Sequence, residues 1–175
     1  DGDGVLDSND SHPLDPALPS VKPVRASLCI LGTTPAASFF ESWTSSSARD
    51  TESISWGDVD GDGDLDLAVG NYGDNNEIYL NNGTALATTP AWTSSNSLTT
   101  GSVAWGDVDG DGDLDVAVGN TSNEQNAVYL NNGSGTFSAG TRNFGSADAT
   151  QDVVFGDVDG DGDLDIAAAN AGQQN

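Results

Sequence analysis

The chain has 175 residues, enough to bury a sizeable core, and carries 28 acidic against four basic residues for a formal charge of −24. That balance excludes a phosphate-neutralising nucleic-acid surface and attachment to an anionic membrane, and no apolar run is long enough for membrane insertion. Cys29 and His12, the only residues of their kinds, leave no internal disulfide, no cysteine metal cluster and no Ser–His–Asp or Cys–His catalytic set.

The acids are concentrated rather than scattered, beginning at the N-terminus with Asp1, Asp3, Asp7 and Asp10. The run Asp1-Gly2-Asp3-Gly4-Val5-Leu6-Asp7-Ser8-Asn9-Asp10 resembles a thrombospondin type-3 calcium repeat that lacks its first ligand. The resemblance implies a partial fourth calcium motif over residues 1–12. In it Asp1, Asp3 and Asp7 take positions 3, 5 and 9, Val5 offers its carbonyl and Asp10 takes position 12. Residues 13–35 follow as a linker or irregular leading segment, with four prolines between His12 and Pro23 to stiffen it.

From residue 36 onward the chain is organised by an internal repeat. Phe39–Thr44 reads as an outer strand leading into the first unit, because Trp43 precedes Ile54 by the same eleven residues that separate Trp92 from Val103. Ile54 and Trp56 then alternate with Ser55, as Val103 and Trp105 do with Ala104, predicting a half-buried strand. The aromatic face of Trp56, Trp105 and Phe155 is expected to be core. After an aspartate-rich loop, Leu65, Leu67 and Val69 alternate with Asp66 and Ala68 as a second strand. Glu77–Leu80 and Ala127–Leu130 make a third, closed by Asn-Asn-Gly turns at 81–83 and 131–133. A fourth lies near Ala91–Thr93 and Thr141–Phe144, with Trp92 and Phe144 of equal strand parity. The whole string from Ser55 to Asn71 recurs at Ala104–Asn120 and Val154–Asn170, at offsets of 49 and 50 residues, with the extra residue confined to the turn between Asn120 and Leu130. Four short strands per unit of this length is the period of a β-propeller blade. The expected fold is all-β, an incomplete ring of four-stranded antiparallel blades over residues 36–175, cut from a longer chain whose further blades would complete it.

Each unit carries one loop of five alternating carboxylates. These are Asp58, Asp60, Asp62, Asp64 and Asp66 in loop 58–66, Asp107, Asp109, Asp111, Asp113 and Asp115 in loop 107–115, and Asp157, Asp159, Asp161, Asp163 and Asp165 in loop 157–165. Carboxylates one residue apart repel unless a cation stands among them. An all-oxygen set on a curled loop suits Ca2+, which takes six to eight oxygens in flexible geometry, better than Mg2+, and the lack of nearby histidine or cysteine disfavours zinc and copper. Gly63 stands where an EF-hand loop needs its turn glycine. By the same analogy position 7 (Asp64, Asp113 and Asp163) offers its backbone carbonyl, and positions 1, 3, 5 and 9 offer side chains. A helix–loop–helix hand does not fit, because Val69, Val118 and Ala168 occupy position 12 and the flanks alternate with period two.

The string Gly-Asp-Val-Asp-Gly-Asp-Gly-Asp-Leu-Asp-(Leu/Val/Ile)-Ala closely resembles the FG-GAP/VCBS repeat, over roughly Phe39 to Asn175. The resemblance implies a propeller with calcium on hairpin loops at one face, as in integrin α-subunit-like propellers and large bacterial surface proteins. Three calcium sites are expected, in a binding or adhesion module of a secreted or cell-surface protein with an unknown protein or glycan ligand. The alternatives are a non-catalytic accessory propeller of an extracellular enzyme and a calcium-dependent lectin. No catalytic residue is expected in the segment.

Overall fold

The computed structural model describes residues 29–33 and 39–172. The N-terminal motif, with Asp1, Asp3, Asp7 and Asp10, and most of the linker lie outside the described residues.

The described chain is all-β. Strands β1 (Cys29–Thr33) and β2 (Phe39–Thr44) form a hairpin. A first blade follows as a meander of β3 (Thr51–Gly57), β4 (Asp66–Asp74), β5 (Glu77–Tyr79) and β6 (Trp92–Thr93). A second repeats it with β7 (Leu98–Gly106), β8 (Asp115–Asn120), β9 (Asn126–Asn131) and β10 (Phe137–Phe144). The inner pair of a third is β11 (Thr150–Gly156) and β12 (Asp165–Asn170). All pairings are antiparallel, and the far end of β4 reaches across to β7 through Tyr72↔Thr99 and Asp74↔Leu98. The two full blades thereby become one curled sheet.

The repeat dictates the register. Gly57↔Asp66, Gly106↔Asp115 and Gly156↔Asp165 close the three aspartate loops in the same way. The residue added to the second unit falls in the β8–β9 turn, where Ser122 and Asn123 take left-handed φ values of 61° and 60°. The first unit has its left-handed residue at Gly73, φ 68°, near the end of β4.

The core lies between blades rather than inside one. Ala68 and Ile78 of the first blade pack with Val103, Val116, Tyr129 and Phe137 of the second. The opposite face of the first blade, Leu67, Val69 and Tyr79, packs against Trp43 and Leu86. Both faces of β4 and β8 are therefore buried along the strands' first six residues. Leu65, expected in the second strand, stands exposed just before it. Trp43 meets Tyr79 edge-on at 5.2 Å between ring centroids, as Trp92 meets Tyr129 at 5.0 Å, so β2 occupies toward the first blade the place that β6 occupies toward the second.

The expectation for the first-strand aromatics needs correction. Trp105 and Phe155 are half-buried against the preceding blade, but Trp56 is 44 % exposed. Trp105 lies on Gly57 and Phe155 on Gly106, where an added methyl group would stand 2.8 Å and 2.6 Å from the respective rings. Trp56 faces the same way, and no described strand offers it such a glycine. Its exposure is therefore a matter of which neighbour is present.

Buried polar side chains tie the blades together at the end away from the aspartate loops. Thr51 donates to Asn71, Asn76 to Thr100, Thr100 to Asn120, Asn126 to Thr150 and Thr150 to Asn170, at 2.7–3.0 Å. At the outer edge Arg49 bridges Asp74 at 2.7 Å and the buried Glu77 at 2.8 Å, and Tyr79 donates its hydroxyl to Glu77 at 2.6 Å. This cluster holds the segment between β2 and β3 onto the first blade.

Candidate metal centres

Each aspartate loop leaves the first strand of its blade and returns through the start of the second. The curl needs glycine where φ turns positive: Gly61 at 73° and Gly63 at 95°, with matching values at Gly110, Gly112, Gly160 and Gly162. Within that frame the carboxylates fold inward and accept backbone amides. Asp58 accepts from Gly63 N at 3.0 Å, Asp107 from Gly112 N at 3.0 Å and Asp157 from Gly162 N at 3.1 Å. Position 5 takes the amide of position 7 in every copy, from Asp62 with Asp64 to Asp161 with Asp163.

The last carboxylate of the loop is the anchor. Asp66 accepts from Val59 N at 2.9 Å and Asn81 N at 2.7 Å, and Asp115 accepts from Val108 N at 3.0 Å and Asn131 N at 2.8 Å. Both are buried. Burial first, and then the facing carboxylates, push the Asp66 and Asp115 carboxyls up from the ordinary aspartate value, against the two amides that favour the charged form. Asp60 and Asp62 face Asp66, and Asp109 and Asp111 face Asp115. Asp165 accepts from Val158 N at 3.0 Å and stands exposed, because no described third strand covers it.

In three places carboxylate oxygens come within 4.8 Å of one another: Asp58, Asp60 and Asp62; Asp107, Asp109 and Asp115; and Asp157, Asp159 and Asp165. Asp58 Oδ1 is buried and, among the described residues, has no hydrogen-bond partner. A buried, unpartnered carboxylate oxygen facing other carboxylates is costly without a cation, so these residues fit a hard, oxygen-seeking metal ion. The carboxylates of Asp64 and Asp113 lie against the turn glycines Gly83 and Gly133 instead, with an oxygen 2.6 Å and 2.5 Å from where a methyl group would stand.

One class of supporting residue was not legible as part of the site. Asn81 and Asn131 read in the sequence as turn residues. Beyond their backbone amides, Asn81 Nδ2 donates to Leu65 O and Asn131 Nδ2 to Leu114 O, both at 3.2 Å, fixing the loop's return. Asn131 also reaches into the neighbouring blade, donating to Val59 O at 2.7 Å. The signal that could have found them is the Tyr-Leu-Asn-Asn-Gly string, which recurs after the first and second loops.

The family model for the FG-GAP-like repeat matches the chain twice, at residues 58–118 and 109–168. The two matches together take in every aspartate loop. No curated protein matches the chain.

Proposed function

The chain belongs to the FG-GAP-like repeat family, and from that premise we propose that it is a calcium-stabilised propeller segment, serving as a non-catalytic binding or adhesion module of a secreted or cell-surface protein. The observation that carries the reading is the threefold recurrence of a carboxylate cluster with its oxygens within 4.8 Å, on loops of one register. Positions 1, 3, 5 and 9 of each loop supply the side-chain ligands, and position 7 supplies backbone oxygen. Calcium supplies the positive charge that lets five carboxylates share a loop, and the loop in turn fixes where each blade's first two strands meet. Binding to the folded state alone stabilises it by roughly 2.7 kcal/mol per site at a hundredfold excess over Kd. Sites of this type in extracellular modules bind with Kd of roughly 10⁻⁴ to 10⁻³ M, so they fill outside cells and empty in cytosol. Among the described residues no helix is long and apolar enough to cross a membrane.

The lectin alternative is the weaker one. A sugar needs an exposed aromatic face, and Tyr72 at 54 % and Trp56 at 44 % are the exposed candidates, whereas Tyr79 and Tyr129 are buried and Trp43 and Trp92 pack edge-on against them. Thermal melts in millimolar calcium, in magnesium and in chelator test the proposal. We expect a fall of many degrees in chelator that magnesium does not restore; a melting temperature indifferent to calcium would refute it.

A further inference from the structure

The cluster that Arg49 makes at the outer edge of the first blade has a counterpart in the second, and the two are filled differently. The segments that lead into β3 and β7 run in one register. Ser45 donates to Ser47 O as Ser94 does to Asn96 O, and the amides of Tyr72 and Thr121 reach Asp50 O and Thr99 O. Leu98 therefore stands where Arg49 stands, Glu124 where Asp74 does, Ala127 where Glu77 does and Tyr129 where Tyr79 does. In the first blade Arg49 closes the space by bridging Asp74 and Glu77, and Ser47 and Tyr79 donate to Glu77 at 3.1 Å and 2.6 Å. In the second, Leu98 brings no cation and Ala127 brings no carboxylate. A cavity of about 300 Å³ is left among Leu98, Glu124, Ala127 and Tyr129, with Asn96 and Asn143 completing its polar lining.

Two groups in this cavity have bonding capacity to spare. Tyr129 is 3 % exposed, and among the described residues its hydroxyl has no hydrogen-bond partner, whereas that of Tyr79 donates to Glu77. Burial raises the Tyr129 hydroxyl from its ordinary value, so the group is uncharged at neutral pH. A buried hydroxyl without a partner is costly, and a ligand that bonds it recovers that cost. Glu124 is half-buried and accepts from Thr99 N through Oε2 at 2.5 Å, which leaves Oε1 for a ligand. Arg142 stands opposite Val128, and so faces the other side of the sheet from Ala127 and Tyr129.

We propose that this cavity binds an arginine side chain of a partner polypeptide, whose guanidinium lies between Glu124 and Tyr129 as that of Arg49 lies between Asp74 and Glu77. The first blade is the template, because the same fold position there already holds a guanidinium. Its planar fork of five N–H donors can serve Glu124 Oε1, the Tyr129 oxygen and a side-chain carbonyl of Asn96 or Asn143 together. A lysine ammonium matches that set less well, and an uncharged side chain leaves Glu124 unpaired. The chain's charge of −24 draws any cationic partner, but only a shaped cavity separates arginine from lysine. The assignment rests on the reading of the chain as a binding module, names the chemistry of its ligand, and does not depend on the identity of the metal.

Calorimetric titration of the full chain, in calcium and about 0.15 M salt, with the end-blocked peptide Gly-Gly-Arg-Gly-Gly tests the assignment. We expect saturable binding at one peptide per chain, about fivefold weaker with lysine in place of the arginine and about tenfold weaker with citrulline, its uncharged isostere. Glu124→Gln keeps an acceptor for Thr99 N, so circular dichroism should be unchanged while binding weakens about tenfold. Tyr129→Phe keeps the ring against Trp92 and should weaken binding about threefold. Leu98→Arg with Ala127→Glu rebuilds the first-blade cluster and should abolish binding. No binding by the unsubstituted chain, equal binding of the arginine and citrulline peptides, or undiminished binding by Glu124→Gln would overturn the proposal. None of these outcomes bears on the calcium dependence of the melting temperature. A chain that binds the arginine peptide but melts alike with and without calcium would refute the metal's role and leave this site standing.

Discussion

Truncating the anchor aspartate separates its structural role from its role toward metal. In Asp66→Ala the amides of Val59 and Asn81 lose the carboxylate that accepts them at 2.9 Å and 2.7 Å, in a place where Asp66 itself has no exposed surface. A buried donor left without a partner costs about 1–3 kcal/mol, so two cost roughly 2–6 kcal/mol. Removing a buried charge that faces Asp60 and Asp62 returns part of this, leaving a net loss of about 2–4 kcal/mol. The loss should be present without any calcium. Asp165→Ala removes a carboxylate from an exposed site with one amide, from the exposed Val158, and should cost under about 1 kcal/mol in the same conditions. Urea unfolding of the calcium-stripped protein, followed by tryptophan fluorescence at low concentration, measures both. Equal losses for the two variants would refute the argument that covering by the third strand sets the cost.

Two further outcomes follow from packing and charge. Gly57→Ala drives a methyl group to 2.8 Å from the Trp105 ring; overpacking of about 1–3 kcal/mol outweighs a gain of about 0.4–1 kcal/mol from the unfolded chain, so urea melts should show a loss of roughly 1–2 kcal/mol, and unchanged stability would contradict the packing of Trp105 on that glycine. The raised carboxyls of Asp66 and Asp115 make the folded, calcium-stripped chain bind more protons than the unfolded one above the ordinary aspartate value of about 3.9. These two groups therefore stabilise the stripped protein as pH falls through their raised values, whereas the calcium-loaded protein loses stability over the same window as protons displace the ion. Denaturation followed as pH is lowered from neutral toward the ordinary aspartate value, with and without calcium, reads the opposite signs; no gain in the stripped protein anywhere above that value would contradict them.

The repeat makes much of this structure legible in the sequence alone. The loops, their closing position and the four-strand unit follow from residue type and spacing, because alternation and aspartate-glycine curls are local properties. Burial across blades is not local. Trp56, Trp105 and Phe155 occupy one register position, yet Trp56 is exposed and the others are half-covered, since only a neighbouring blade decides. Leu65 looks like strand by period but falls on the loop's exposed return. The chain of Asn71, Asn76, Thr100, Asn120, Asn126 and Thr150 was equally hidden, although Asn71 and Asn120 end the repeated string. A buried asparagine reads as a turn residue until its partners in the next blade are seen.

Calorimetric titration of the metal-stripped chain with calcium tests the proposal that the three aspartate loops are calcium sites. Saturable binding at three equivalents per chain is expected, falling to two when Asp109 and Asp115 are both replaced by alanine. No calcium uptake, or uptake that the double substitution leaves unchanged, would contradict it.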